Sequence, residues 1–194
     1  MDTAEKREIR MVERAIERKK IMTLKQTKEL FEEPMPFEIQ IVGKVLYITG
    51  ARINEFLKMR KKNFNKGIRG NGLYVTMELY TLKNRRDKAR ILPVYYSKPY
   101  EQYSYPTYKW LFDDVFDYLE GLGDDEPLTH YSERHLRRLI KKHFGFFPHK
   151  FRHMRLTHLS KYHKYDGSRL MLYAGWSNTK PATVYVHLNW NDLL

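Results

Sequence analysis

Between residues 63 and 96 the periodicity of the chain changes. On either side, apolar residues recur every three to four positions, the spacing of helices. Inside the window, Leu73-Tyr-Val-Thr-Met-Glu-Leu-Tyr80 and Ala89-Arg-Ile-Leu-Pro-Val-Tyr-Tyr96 are rich in β-branched and aromatic residues and read as strands. The polar stretch 83–88 between them reads as a hairpin loop, and Asn71-Gly72 as a tighter turn before it. One island of strand in a helical chain predicts an α+β fold, mainly α-helical, with one small antiparallel three-stranded sheet.

The helical parts can be bounded from their punctuation. Residues 3–31 read as one long charged helix, with Ile9, Val12 and Ile16 as a thin apolar stripe. Pro34 and Pro36 break it and mark a boundary, giving an N-terminal helix or linker over 1–33 and a domain over 34–194. An apolar helix runs from Pro36 to about Tyr47. After Thr49-Gly50 a second helix turns Ile53, Phe56, Leu57 and Met59 inward. Pro106 opens a helix to about Leu119. Ser132 caps a basic helix ending before Gly145, and Pro148 starts another from His149 to about Tyr165. Ser168 is the expected cap of a short helix ending at Gly175, and Thr179 with Pro181 starts a last one.

The 194 residues hold 36 Lys plus Arg against 23 Asp plus Glu, a net charge of +13. An excess of this size predicts a polyanionic partner, most simply nucleic acid. The charge is clustered. Residues 110–132 carry seven acids and no Lys or Arg, whereas 134–169 carry eleven Lys plus Arg and one acid, Asp166. Two further basic runs span 52–69 and 83–90. Cations gathered on one face can neutralise phosphates together, and the acids are expected on a face away from them. With no cysteine, thiol nucleophiles, disulfides, Cys-ligated zinc and iron–sulfur clusters are excluded. No apolar run approaches the length of a bilayer span, and the N-terminus is charged from Asp2, so an intracellular protein is expected.

Three segments carry chemistry. In Thr49-Gly-Ala-Arg-Ile-Asn-Glu-Phe-Leu57, Arg52 begins a helix after a glycine turn and Glu55 follows one turn on. In His149-Lys-Phe-Arg152, the spacing puts an imidazole and a guanidinium on one helix face. Ala174-Gly-Trp-Ser-Asn178 is followed by Tyr185, nine residues after Trp176. Lys83 sits in the hairpin loop, with Lys88 as the other lysine there. Taken singly these have ordinary readings: Trp176 as packing, Arg52 as a helix-start arginine, Tyr185 as one of fifteen tyrosines. His149 and His153 stand at a spacing that suits zinc, but Lys and Arg crowd them and only Asp166 lies near in sequence, so no metal and no cofactor is expected.

Taken in order, these positions resemble the tyrosine recombinase (phage integrase) family over about residues 36–188. That pattern is an Arg in T-G-x-R-x-x-E-L, a Lys in a β-hairpin, an H-x-x-R pair, a His or Trp after a Gly, and a Tyr about nine residues later. Arg52, Lys83, His149, Arg152, Trp176 and Tyr185 fill it; Phe56 replaces the usual Leu, and Trp176 stands where many members carry His. The resemblance implies cleavage and rejoining of double-stranded DNA through a 3′-phosphotyrosyl intermediate, with release of a free 5′-hydroxyl and no metal. Tyr185 would be the nucleophile. Arg52 and Arg152 would hold the non-bridging oxygens, and Lys83 would protonate the leaving oxygen. His149 would share the Tyr185 proton. Trp176 would donate to a phosphate oxygen, and Glu55 would orient the cations.

The resemblance also implies a homotetramer assembled on DNA, with a Holliday junction between two rounds of cutting. Residues 186–194, which include Leu188, Trp190, Leu193 and Leu194, are expected to fold back or to dock on a neighbour. Absent cysteine and only three glutamines give a thermophile-like composition that hints at an archaeal virus or plasmid. Two rivals stand beside this reading: a type IB topoisomerase, which shares the tyrosine chemistry and an Arg/Lys/Arg site but relaxes supercoils without exchanging strands, and a module that binds DNA without cutting it. His149 fits the recombinase better, since that topoisomerase class usually has Lys there.

Overall fold

The computed structural model describes residues 21–69, 72–81, 88–96 and 108–186. In chain order the described elements are α1 (Leu24–Glu32), α2 (Phe37–Thr49), α3 (Ile53–Phe56), β1 (Phe64–Arg69), β2 (Gly72–Thr81), β3 (Lys88–Tyr95), α4 (Lys109–Glu120), α5 (Glu133–Phe144), α6 (His149–His163), α7 (Gly167–Ala174) and α8 (Thr183–Val186). Short 3-10 turns precede β1, at Lys61–Asn63, and α8, at Lys180–Ala182.

Helix α2 is the axle of the domain. Its sequence is apolar nearly all round, the signature of a helix with no solvent face, and every residue from Ile41 to Thr49 is buried. Helices α4, α5 and α6 pack around it. Contact with α5 is close at Gly43, where a Cβ would fall 2.4 Å from Phe144 Cζ. Lys44 is buried with the apolar side chains of α2 and pairs with Asp114 of α4. Helix α6 also lacks a polar face, burying Phe151 to Ser160 except for part of His153. Its charged residues are accommodated individually. Arg155 lies among the rings of Tyr47, Tyr108 and Tyr173 at 4.5–5.8 Å and donates to the Tyr173 hydroxyl at 3.0 Å, so quadrupoles and one hydrogen bond replace its water. His158 takes a hydrogen bond on Nδ1 from the Tyr47 hydroxyl at 2.7 Å, and its Nε2 donates to the Met22 carbonyl at 2.6 Å.

The sheet has the order β1-β2-β3, antiparallel throughout, with Phe64 opposite Met77 and Leu79 opposite Arg90. Val75, Met77 and Leu79 of β2 face the helices together with Leu92 and Val94 of β3, the period-two pattern of a half-covered sheet. Pro93 is tolerated because β3 is an edge strand.

Several boundaries differ from expectation. Residues 21–23 are not helical; α1 starts afresh where Thr23 Oγ accepts from Gln26 N and Gln26 Oε1 accepts from Thr23 N, a capping box. Residues 3–20 of the expected long helix, with Ile9, Val12 and Ile16, lie outside the described residues. Nor do the prolines separate α1 from the domain, since Phe31 packs on Tyr47, Phe144 and Phe151 in the core. Helix α3 is a single turn, the chain leaving the helix after Phe56. Asp166, not Ser168, caps α7, accepting the Arg169 N–H at 2.8 Å. The acids after α4 are not held apart from the cations: Asp125 binds Lys62 at 2.5 Å, and Asp124 lies 4.0 Å from Lys61.

Candidate active site

Helices α2 and α7 both stop at a glycine in the left-handed region, Gly50 at φ 57° and Gly175 at φ 66°. A side chain is strained there, which explains a glycine in both sequence segments. Such stops leave carbonyls without intrahelical partners, at the negative end of each helix. Arg152 of α6 reaches both ends: one terminal nitrogen donates to Gly50 O and the other to Ala174 O, each at 2.7 Å. Arg152 is 2% exposed, and its guanidinium lies 5.5 Å from the Trp176 ring centroid. Burial first, then the charges of Arg52 and Arg90, pull its pKa to about 10, so it remains a cation at neutral pH.

Arg52 caps α3 with its backbone. Its N–H donates to Glu55 Oε2 and its guanidinium to Glu55 Oε1, both at 2.9 Å. Glu55 is 1% exposed yet ionised: burial pushes its pKa up, but the hydrogen bonds and charge of Arg90, then of Arg52, bring it below the usual value. Arg90 donates to both oxygens, at 3.0 and 3.3 Å. Glu55 thus holds two cations from different elements, and the Arg52 side chain keeps about a third of its surface open to solvent.

Tyr185 of α8 is 6% exposed, and its ring stacks on Trp176 with centroids 5.9 Å apart and planes at 24°. Its hydroxyl lies 2.7 Å from His153 Nδ1. This corrects the expected pairing with His149: the tyrosine's imidazole partner is the next histidine along the helix. His149 meets His153 edge-on at 4.7 Å. Although part of its surface is open, desolvation, then His153, Arg152 and Arg52, lower its pKa to about 4. Burial, then Lys150 and Arg152, also lowers that of His153. Both rings are therefore neutral at pH 7. Burial raises the Tyr185 pKa, partly countered by Arg152.

Of the sequence candidates, Arg52, Glu55, His149, Arg152, Trp176 and Tyr185 gather in one region. Lys83 lies outside the described residues. Sequence reasoning missed two members. Arg90 was legible by parity: it shares the inward register of Leu92 and Val94, an unusual place for an arginine without a buried acid to meet. His153, one residue past the motif, needed the position of α8 to be known. Among the described residues no three His, Asp or Glu side chains gather as metal ligands, and His153 Nδ1 is engaged by tyrosine. No described helix is long and apolar enough to cross a membrane.

Two arginines, an indole and a pair of neutral imidazoles around one tyrosine, set in this α+β frame, define the tyrosine recombinase class of catalytic domain. The chain matches the phage integrase family over residues 14–192 and belongs to that family. Among solved structures it is similar to the XerH site-specific recombinase bound to its difH substrate in a pre-cleavage complex, at TM-score 0.60 and 16% identity, covering 88% of this chain and 50% of that one. A post-cleavage complex of the same recombinase with a palindromic difH substrate gives TM-score 0.63 and 14% identity, covering 89% and 51%. The integrase of the Tn1549 transposon, in complex with a circular intermediate DNA, gives 0.53 and 14%, covering 91% and 66%. The chain thus spans about half the length of the XerH chains it matches. No curated protein matches it in sequence.

Proposed function

We propose that this chain breaks and rejoins double-stranded DNA by site-specific recombination, with Tyr185 forming a 3′-phosphotyrosyl bond. The observation that carries this reading is the placement of Tyr185 on Trp176, itself beside the buried Arg152 cation. A phosphate seated over that tyrosine would have Arg152 within its field, with the more open Arg52 near Arg152. Fixed cations act most strongly as charge grows on the non-bridging oxygens, and the helix ends and Glu55 keep them in place before DNA arrives. Trp176 offers an N–H donor and cannot shuttle protons. His149, neutral and partly open, suits a hydrogen bond to the phosphate, and Lys83 is the proposed acid for the leaving 5′-oxygen. In this scheme the guanidiniums supply the charge stabilisation, and cleavage proceeds in EDTA.

The protomers act in pairs on each duplex, as a homotetramer assembled on DNA inside the cell, encoded by a virus or plasmid. The proposed catalytic domain runs over 34–194, and α1 packs against it through Phe31. Incubating the protein with a pool of nicked duplexes of randomised sequence tests the reading. SDS-resistant adducts that transfer their strand to a second duplex support recombination. Relaxation of a supercoiled plasmid without strand transfer would favour the topoisomerase reading, and binding without any adduct the non-cleaving module. Light scattering with and without the selected duplex reads assembly: a tetramer only with DNA is expected.

A further inference from the structure

The residue that meets the reacting oxygen is not in the six-residue pattern. Tyr185 Oη has His153 Nδ1 at 2.7 Å, within hydrogen-bond range, and the two rings lie 5.8 Å apart at 32°, so the contact is made by the ring edge and not by stacking. The tyrosine is nearly closed to solvent, which leaves little water to take its proton. The hydroxyl is the donor and Nδ1 the acceptor when His153 carries its proton on Nε2.

We propose that His153 is the proton acceptor for Tyr185 in cleavage and returns that proton in rejoining. This rests on the covalent-cleavage reading above. In the forward step the Tyr185 oxygen forms a bond to phosphorus, the bond from phosphorus to the 5′-oxygen breaks, and the tyrosyl proton moves to His153 Nδ1. The departing 5′-oxygen takes its proton from the separate acid, proposed as Lys83. In the reverse step the 5′-hydroxyl attacks phosphorus, and the tyrosine leaves with the proton from His153.

The surroundings of the ring keep the acceptor nitrogen free and hold the proton on Tyr185 until DNA binds. The groups facing His153 are Lys150, Arg152 and His149 on α6 and Tyr185 on α8. The two cations and burial keep it unprotonated, so the acceptor is empty when DNA binds. An anionic phosphate entering beside Arg152 offsets part of that positive field and raises proton affinity at the moment the tyrosine gives its proton up. His149, edge-on at 4.7 Å, is left to face the phosphate.

Two measurements test the proposal. Nitrogen NMR of the full chain reads the His153 tautomer without DNA. A neutral ring protonated on Nε2 at pH 7, with an Nδ1 shift altered by Tyr185→Phe, is expected; a proton resident on Nδ1 would overturn it. The second uses the duplex that the wild type selects from the randomised pool, made with oxygen or with sulfur at the bridging 5′ position. A thiolate leaves without protonation, so the sulfur duplex isolates the tyrosine side. His153→Gln, which keeps a hydrogen-bonding group but cannot accept a proton, should slow adduct formation by about 10²–10⁴ on both duplexes. Rising pH should restore part of that loss, with melting temperature and DNA affinity unchanged. A wild-type rate in His153→Gln would reduce the residue to positioning, and faster cleavage in His153→Phe would make the contact a restraint; either overturns the proposal. So does a loss seen in His149→Gln alone. If the wild type forms no adduct on any duplex, the covalent reading fails, and the NMR result still decides whether the hydrogen bond exists.

Discussion

Glu55 binds Arg90 through both carboxylate oxygens, at 3.0 and 3.3 Å, while Oε1 also holds the Arg52 guanidinium at 2.9 Å. Removing this anion takes from Arg90, whose side chain is 9% exposed, the buried carboxylate that meets its charge in a two-point contact. Glu55→Ala should therefore cost about 3–5 kcal/mol of stability, and Glu55→Gln less, because its amide oxygen still accepts. Chemical denaturation checks this, and a loss under about 1 kcal/mol for the alanine variant would show that the contact is not structural.

Arg152 and Arg52 should separate in their effects. Either alanine variant should slow cleavage by about 10²–10³, since each removes a donor to the developing charge. Only Arg152→Ala should also destabilise the fold. It strands two carbonyls, Gly50 O and Ala174 O, at roughly 1–3 kcal/mol for each buried group left unpaired. Arg52 lies at the surface end of its ion pair and should leave the melting temperature close to that of the wild type. Paired melting and single-turnover measurements read both effects.

Two residues of α6 should make the fold acid-sensitive. Burial is the first cause of a pKa of about 4 for His158 and about 3 for His163. Unfolded, each would titrate near 6.5, so below that pH the unfolded chain binds more protons and stability falls. The contribution is fully present above pH 6.5 and is lost progressively down to the folded values. For His158, 1% exposed, the whole effect is up to about 3 kcal/mol. Melting from pH 7 to pH 4 should show a steep decline, shallower in His158→Gln; a flat profile would contradict buried neutral imidazoles.

Much of the site was legible because its geometry is local. Gly50 and Gly175 announce helix stops, and the spacing of His149 and Arg152 fixes their shared face whatever surrounds them. The central burial of α2 followed from its lack of a polar face. Partnerships across the fold were not legible. Nothing in the spacing from Trp176 to Tyr185 says which histidine of α6 the phenol will meet, because that depends on the turn at Lys180–Ala182 and the angle of α8. The break before Thr23 was hidden for a related reason. A Thr followed three residues later by Gln is a start signal, but it sits inside a run of good helix formers and only the docked Phe31 makes it decisive.

Binding should depend strongly on salt. With about six to ten phosphate contacts, affinity for duplex DNA should fall by about 10³–10⁵ between 50 and 200 mM salt. Lys61 and Lys62 already have Asp124 and Asp125 beside them, so the basic run 52–69 contributes fewer free cations than its sequence offers. Asp124→Asn with Asp125→Asn should tighten binding and steepen the salt slope. Fluorescence anisotropy with a random duplex measures both; salt-insensitive binding would contradict a phosphate-tracking face.

The central claim is that Tyr185 becomes bonded to DNA, and peptide mapping of the SDS-resistant adduct tests it most directly. In the wild type the nucleotide should map to the peptide containing Tyr185. Tyr185→Phe should bind the same duplex with unchanged affinity and give no adduct. An adduct that persists in Tyr185→Phe, or that maps to Tyr162, Tyr165 or Tyr173, would contradict the account.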